Sequence, residues 1–103
     1  MIFVTTETIY GKEIKESLGT VRGSTVRARN IGRDFFAGLK NIVGGEISEY
    51  TQLLADSREQ AIKRMLDDAN KIGADAVVNV RFTTSNVMQG AAEILAYGTA
   101  VKF

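Results

Sequence analysis

The feature that most constrains the fold of this chain is a change of hydrophobic period at Gly73. Before this glycine, apolar side chains recur at the three- and four-residue spacing of one helical face. These positions are Tyr50, Leu53, Leu54, Ala61, Ile62, Met65, Leu66, Ala69 and Ile72. We therefore predict one long amphipathic helix that Ser48 caps at its start and Gly73 ends.

Beyond Gly73 the pattern alternates with a period of two, which is typical of a strand. One predicted face carries Ala76, Val78, Val80 and Phe82, and the other carries Val77, Asn79, Arg81 and Thr83. A loop around residues 86–92 then leads to a last strand over residues 93–103. Two strands joined by a short loop are expected to pair as an antiparallel hairpin.

The N-terminal half predicts two strands and a short helix. Residues 2–4 form the first strand, and residues 14–28 form a long strand with a bend near Gly19 or Gly23. In the long strand Ile14, Leu18, Val26 and Ala28 share one face. Over residues 30–45 the apolar positions return to helical spacing. The order β-β-α-α-β-β indicates an α+β domain of two layers, with an antiparallel sheet, one long helix and one short helix.

Length and hydrophobicity indicate a single domain over residues 1–103. Hydrophobic residues make up 45% of the chain, which is enough to build a core. No apolar run approaches the ~20 residues of a membrane helix, and the first residues lack the basic flank of a signal peptide. We expect a cytoplasmic protein with no membrane partner.

The most informative absences are those of cysteine and histidine, since the chain contains neither. Thiol chemistry and imidazole acid-base chemistry are therefore unavailable to it. No phosphate-binding glycine loop and no serine nucleophile motif occurs either. We expect a protein that is not an enzyme and that carries no cofactor.

The last predicted strand is apolar on both faces. One face carries Ile94, Ala96, Gly98 and Ala100, and the other carries Leu95, Tyr97, Val101 and Phe103. One layer of helices covers only the first face, so the second needs another cover. Further copies of the chain would make Leu95, Tyr97, Val101 and Phe103 an interface, with Gly38 of the short helix as another contact. Alternatively, the N-terminal strand or the short helix wraps round that face, and Gly38 packs on the sheet of its own chain.

The charge balance does not favour nucleic acid as a partner. The chain contains thirteen Lys and Arg residues and twelve Asp and Glu residues, which gives a net charge of +1. A small anion could bind where backbone N–H groups open the short helix near Asn30 and Arg33. The candidate ligand contacts are Asn30, Arg33, Asp34, Asn79 and Arg81. The alternative is that these charges are solvated or pair with a neighbouring copy.

A cation site is the second possibility for ligand binding. Asp34, Glu46 and Glu49 carry carboxylates around a helix entrance and would suit Mg²⁺ or Ca²⁺. The alternative for Glu46 and Glu49 is a favourable interaction with the helix dipole.

Three separated motifs resemble the YbjQ family of small bacterial proteins. They are NIGRDFFAGLKNIVGGE at residues 30–46, GADAVVNVRF at residues 73–82 and AYGTAV at residues 96–101. The resemblance implies a dodecin-subunit-like α+β fold that assembles as a homopentameric ring, with no established activity. The family also carries the description "putative heavy-metal-binding".

That description meets a chemical difficulty in this chain, because soft metals are held mainly by thiolate and imidazole. The remaining soft donors are the thioethers of Met1, Met65 and Met88, and Met65 lies in the apolar stripe of the long helix. The sequence therefore favours a non-catalytic, homo-oligomeric binding or scaffold protein. Its alternatives are cation binding through carboxylate oxygens and the small-anion site.

Overall fold

A computed structural model describes residues 1–28, 48–88 and 91–103. Within these residues the chain has an α+β fold, with a four-stranded sheet and one long helix. The elements are β1 (Ile2–Phe3), β2 (Glu16–Ala28), α1 (Ser48–Lys71), β3 (Ala76–Met88) and β4 (Ala91–Lys102). The short helix predicted over residues 30–45 lies outside the described residues.

The strands lie in the order β1-β3-β4-β2. β3 and β4 form the predicted antiparallel hairpin, and β2 pairs antiparallel with β4. The prediction of a purely antiparallel sheet is wrong, because β1 runs parallel to β3. The predicted loop at residues 86–92 is also too long, since strand pairing continues as far as Met88 opposite Ala91.

The helix α1 packs mainly over β2 and β4 through one line of small or flexible residues. Ser57, Ala61, Met65 and Ala69 follow one another at four-residue steps and are buried. Two predicted members of the stripe, Leu54 and Ile72, are exposed. The buried face is narrower than predicted because the helix approaches the sheet closely along this line.

A close approach occurs at Gly23 of β2, where a Cβ atom would overlap the backbone of Ala61 and Met65 in α1. The helix therefore rests on strand backbone at this point, which only glycine permits without displacing the helix. Beside it, the Thr25 hydroxyl donates to the Ser57 carbonyl oxygen at 3.2 Å. This bond satisfies the hydroxyl in the buried layer between helix and sheet.

The helix ends at Gly73, as predicted, in a Schellman motif. Gly73 has a φ of 76° and donates its N–H to the Asn70 carbonyl oxygen at 3.1 Å. The Ala74 N–H donates to the Ala69 carbonyl oxygen, also at 3.1 Å. These bonds satisfy the last carbonyl groups and turn the chain towards β3.

The strand pairing contains three register slips, the last between Asn86 and Met88, and the first two are β-bulges that change which side chains face the core beneath the helix. The register slips between Ser17 and Gly19, which places the first bulge at the predicted bend. A second slip lies between Val78 and Arg81, where Asn79 has a φ of 55°. Val80 consequently joins the core beneath α1 together with Val77. The simple alternation predicted for this strand is therefore wrong.

A second, smaller core lies on the other face of the sheet. Ala76, Val78 and Val101 are buried there, and Val4, Ile9, Ile14 and Phe103 pack against them. We call residues 4–15 the strap, because they connect β1 at one edge of the sheet to β2 at the other. This end of the second face is thus covered by the strap, whereas the predicted N-terminal strand itself pairs at the edge of the sheet.

Backbone hydrogen bonds fix the strap at both of its ends. At the β3 end, the Val4 N–H donates to the Val77 carbonyl oxygen at 2.9 Å, and the Asn79 N–H donates to the Thr6 carbonyl oxygen at 3.0 Å. At the β4 end, the Lys15 N–H donates to the Lys102 carbonyl oxygen at 2.9 Å.

In the described parts of the chain, no helix is long and apolar enough to cross a lipid bilayer.

Candidate functional site

Two of the predicted ligand residues, Asn79 and Arg81, lie at the second bulge. Asn79 adopts the left-handed conformation that asparagine tolerates better than most residues, and its N–H is bound by the strap. Its role in the structure is to form the bulge. The other three, Asn30, Arg33 and Asp34, lie outside the described residues.

The guanidinium of Arg81 is held at the border of the strap. Its Nη1 donates to the Thr5 carbonyl oxygen at 2.8 Å and to the Val80 carbonyl oxygen at 2.9 Å. These bonds fix the position of a positive charge next to the open part of the sheet.

Strand register brings two arginines to either side of one tyrosine. Arg22 of β2 and Arg81 of β3 are both register partners of Tyr97 in β4. Ala96 belongs to the core beneath α1, so Tyr97 points to the opposite face. The three residues form a row, which we call the Arg-Tyr-Arg row, and all three are exposed.

The Arg-Tyr-Arg row is the first open row beyond the strap. The row before it contains Val78, which the strap buries, and the row after it contains Ser24, Leu95 and Thr83. Across the described residues, the one ion pair within 4.0 Å joins Lys63 to Asp67 on α1. Neither arginine of the row therefore has a carboxylate partner in this part of the chain.

This row was not predicted from the sequence. The pairing of Arg81 with Tyr97 depends on a further register slip between Asn86 and Met88, because an uninterrupted ladder from Met88 opposite Ala91 would place Gly98 opposite Arg81. Loop length alone therefore does not predict it. The position of Arg22 could not be inferred, because nothing in the sequence specifies the register of β2 on β4. The sequence predicts Tyr97 at an interface and Arg81 as a ligand contact, from two unrelated patterns.

The predicted interface residues divide between two environments. Val101 is buried and Phe103 is half-buried, and both lie against the strap of their own chain. The Lys12 Nζ lies 5.5 Å from the centre of the Phe103 ring. Leu95 and Tyr97 remain on the open face, and Gly38 lies outside the described residues. Their predicted contact with another copy stays a prediction.

The two edges of the sheet differ in which groups contact their outward-facing backbone N–H and C=O groups. On the outer edge of β2, the Asp68 Oδ2 accepts a bond from the Arg22 N–H at 3.2 Å. The Arg64 Nη1 donates to the Ser24 carbonyl oxygen at 2.6 Å. Side chains of α1 thus occupy part of this edge.

The outer edge of β3 is different. β1 pairs with β3 at Ala76 and Val77, and the strap extends the contact to Val80. Over residues 82–88, no described strand lies on the outer side of β3. Phe82 and Met88 on this stretch are 45% and 66% exposed. We call residues 82–88 the free edge.

The described residues offer no arrangement suited to a heavy metal. They contain no group of three or more acidic, cysteine or histidine residues that could hold an ion. Glu49 lies in the first turn of α1, whereas Asp34 and Glu46 lie outside the described residues. Met65 is buried in the core, and Met1 and Met88 are exposed. With no thiolate or imidazole in the whole chain, the donor set does not fit a soft-metal centre.

Comparison with known proteins gives one family over the full length of the chain. The YbjQ family model, described as "Putative heavy-metal-binding", matches residues 1–103. A protein named UPF0145 from Methanosarcina acetivorans is 63% identical over 102 residues, covering 99% of this chain and 96% of its own. A UPF0145 protein from Psychromonas ingrahamii is 60% identical and covers 99% and 97% of the two chains. The family thus includes archaeal as well as bacterial members.

A solved structure shares the fold. The crystal structure of a DUF74-family protein of unknown function from Pediococcus pentosaceus aligns with a TM-score of 0.65. The alignment covers 100% of this chain and 97% of that chain at 15% sequence identity. At this identity the likeness supports the fold alone.

Proposed function

The chain belongs to the YbjQ family, and from this premise and the free edge of β3 we propose that it is a homo-oligomeric binding protein without catalytic activity of its own. We place its action in the cytoplasm. The free edge is the observation that carries the proposal, because its outer side has no strand partner in the described part of the chain and it carries exposed apolar side chains.

An open edge strand is a ready template for another chain, since its free N–H and C=O groups can continue the sheet. Natural proteins usually protect such edges with charged residues, proline, short strands or a covering segment. The free edge carries no charged residue and no proline over residues 82–88. Its composition therefore favours pairing with a second chain.

The opposite edge supports this interpretation by contrast. On β2, Arg64 and Asp68 of α1 bind outward-facing backbone groups and hinder the addition of a strand. The chain thus protects one edge where β2 lies beside its own helix, whereas no strand among residues 1–28, 48–88 and 91–103 pairs with the outer side of β3 over residues 82–88. Such an asymmetry is expected when one edge is used in assembly.

Apolar surface near the free edge adds a driving force. Leu54 of α1 and Ile94 line a groove of about 350 Å³ together with Thr84, Ser85 and Asn86 of β3. Burial of a large apolar side chain contributes roughly 1.5–3 kcal/mol, so covering Phe82, Met88 and Leu54 would favour association.

We propose a closed ring as the form of the assembly. The resemblance of the sequence to the YbjQ family implies five copies and a dodecin-like subunit. A ring requires a head-to-tail contact between two different surfaces of neighbouring copies. The free edge supplies one of these surfaces.

Mass determination by size-exclusion chromatography with light scattering tests the proposal. We expect a mass near five times the 11.2 kDa of one chain for the unmodified protein. Phe82→Lys places a charge on the free edge, and we expect this variant to dissociate. Ile72→Lys is the matched control, since Ile72 is 47% exposed, close to the 45% of Phe82, but lies at the end of α1. A monomeric wild-type protein would overturn the proposal, and so would Phe82→Lys and Ile72→Lys proteins of identical assembly state.

The description of the family favours cation binding as a second candidate function. Because the chain has no cysteine or histidine, oxygen atoms are its only abundant metal-binding donors. This donor set favours Mg²⁺ or Ca²⁺ at Asp34, Glu46 and Glu49 over a soft metal. Calorimetry of EDTA-treated protein separates these cases. We expect no saturable heat with Cd²⁺, and a site lost in Glu49→Gln if Mg²⁺ or Ca²⁺ binds. The small-anion site near Asn30 and Arg33 stays a prediction.

A further inference from the structure

We infer that the Arg-Tyr-Arg row binds a small molecule that joins a planar aromatic ring to a phosphate, as in a nucleoside monophosphate. The inference deepens the proposed function, because it names the ligand class of the binding protein. It rests on the juxtaposition of Arg22, Tyr97 and Arg81 on the open face of the sheet.

The geometry of the row fits both parts of such a ligand. Neighbouring strands lie about 4.8 Å apart, which places the two arginine backbones roughly 10 Å apart with Tyr97 between them. Tyr97 is 38% exposed on the surface of a pleated sheet, so its ring is available for stacking. Guanidinium groups recognise phosphate through paired N–H donors.

The charges of the row also favour an anionic ligand. Asp68 contacts Arg22 through the backbone N–H, and in the described part of the chain no carboxylate lies within 4.0 Å of either guanidinium. The nearest carboxylate along β4 on this face is that of Glu93, two rows away, where Ser85 contacts it at 3.5 Å. Asp67 and Asp68 line a groove with Arg22 at the β2 edge, together with Arg64 and Lys71. The row thus carries two guanidinium charges without an ion-pair partner among the described residues.

The strap gives the site a wall. Its Thr5 carbonyl oxygen holds the Arg81 guanidinium at the border of the open face, and this contact leaves other N–H groups of the guanidinium available. A prepositioned arginine loses less side-chain freedom on binding than a fully mobile one. A ligand placed on Tyr97 would therefore meet a fixed charge on the β3 side and the exposed charge of Arg22 on the β2 side.

Titrations with AMP, adenosine and inorganic phosphate, followed by NMR amide shifts, test the inference. We expect AMP to bind at least about tenfold more tightly than adenosine or phosphate, because each fragment engages only part of the row. The shifted amides are expected in residues 20–24, 81–83 and 95–99. Loss of an aromatic platform typically weakens base binding several-fold, so we expect Tyr97→Ala to lower AMP affinity at least about fivefold.

The chain provides matched controls for both residue types. Arg22→Ala is expected to weaken AMP binding about tenfold, whereas Arg58→Ala on the exposed face of α1 is expected to leave it unchanged. Tyr10→Ala removes a fully exposed tyrosine of the strap and is likewise expected to have no effect. Arg81→Lys is used in place of alanine because Arg81 also holds the strap.

Several results would overturn the inference. They are the absence of saturable AMP binding, shifts confined to other residues, and unchanged affinity in both Arg22→Ala and Tyr97→Ala. If the affinity for oligothymidylate increases with the length of the oligonucleotide, the ligand would be single-stranded nucleic acid rather than a small molecule. Since the mass measurement uses no ligand, an intact oligomer that fails to bind AMP refutes this inference alone. Dissociation of the oligomer by Tyr97→Ala, without AMP binding by the wild type, would assign Tyr97 to the subunit interface instead.

Discussion

At the scale of single residues, Gly23 has the clearest structural requirement. A Cβ atom there would overlap backbone atoms of Ala61 and Met65, and backbone cannot move aside as a flexible side chain can. We expect Gly23→Ala to lower the free energy of unfolding by about 3 kcal/mol or more, because the helix must lift from the sheet.

Gly11 offers the matched control for this substitution. It has a φ of 81° and open space around the position of a Cβ atom, so Gly11→Ala carries only the conformational cost of about 1 kcal/mol. Urea denaturation of both variants at one protein concentration compares the two costs. Equal midpoints for Gly23→Ala and the wild type would contradict the close helix-strand contact.

The residue scale also shows why alternation along the sequence failed in β3. The prediction placed Val78 and Val80 on one face, but Asn79 adds a residue to the strand and reverses the order beyond it. The same effect at the first bulge makes Val21, rather than Val26, the core residue of β2. A bulge depends on contacts with distant segments, here the bonds from the strap to Asn79 and Val80, which local periodicity does not contain.

At the scale of elements, the helix protects the outer edge of β2. Arg64 and Asp68 bind backbone groups of Ser24 and Arg22, and both bonds disappear in the double variant Arg64→Ala/Asp68→Ala. Each bond contributes roughly 1 kcal/mol, so we expect only a modest loss of stability. The larger expected effect is faster aggregation on heating, since a second strand edge becomes available.

The neighbouring pair Lys63 and Asp67 provides the control for this prediction. It lies one residue earlier on the helix and has the same charges, and its hydrogen bond is an exposed ion pair at 3.2 Å rather than a bond to strand backbone. Light scattering during a slow temperature ramp compares the two double variants. If Lys63→Ala/Asp67→Ala aggregates as readily as the Arg64 and Asp68 variant, edge protection is not the role of the latter pair.

Periodicity predicted the individual elements well, but it did not predict how distant segments pair with one another. The helix α1, the β3–β4 hairpin and the Gly73 terminus follow from local patterns of apolar residues and glycine. The parallel pairing of β1 and the path of the strap depend on contacts between residues more than 60 positions apart, such as Val4 with Val77. The Arg-Tyr-Arg row depends on register in the same way, so the sequence predicts separate roles for Tyr97 and Arg81 but not their alignment with Arg22.

At the scale of the whole molecule, the sheet is covered unequally along its length. The strap and α1 enclose the end that contains Val77 and Val101, whereas β3 beyond the second bulge is exposed at each described side chain from Arg81 to Met88. A second copy that covers this end would add its burial energy to the stability of the fold. Stability would then depend on protein concentration, because dilution favours separate chains.

Thermal unfolding over a hundredfold range of protein concentration measures this dependence. We expect the Tm of the wild-type protein to rise by several degrees from the lowest to the highest concentration, as it does for folded states stabilised by association. Phe82→Lys is expected to unfold at a lower Tm that no longer changes with concentration, while Ile72→Lys retains the wild-type dependence. A wild-type Tm that stays constant over the whole range would mean that one copy covers its own sheet sufficiently. The free edge would then be exposed to solvent in the native protein and would form no contact between subunits. The proposed ring would lose its physical basis.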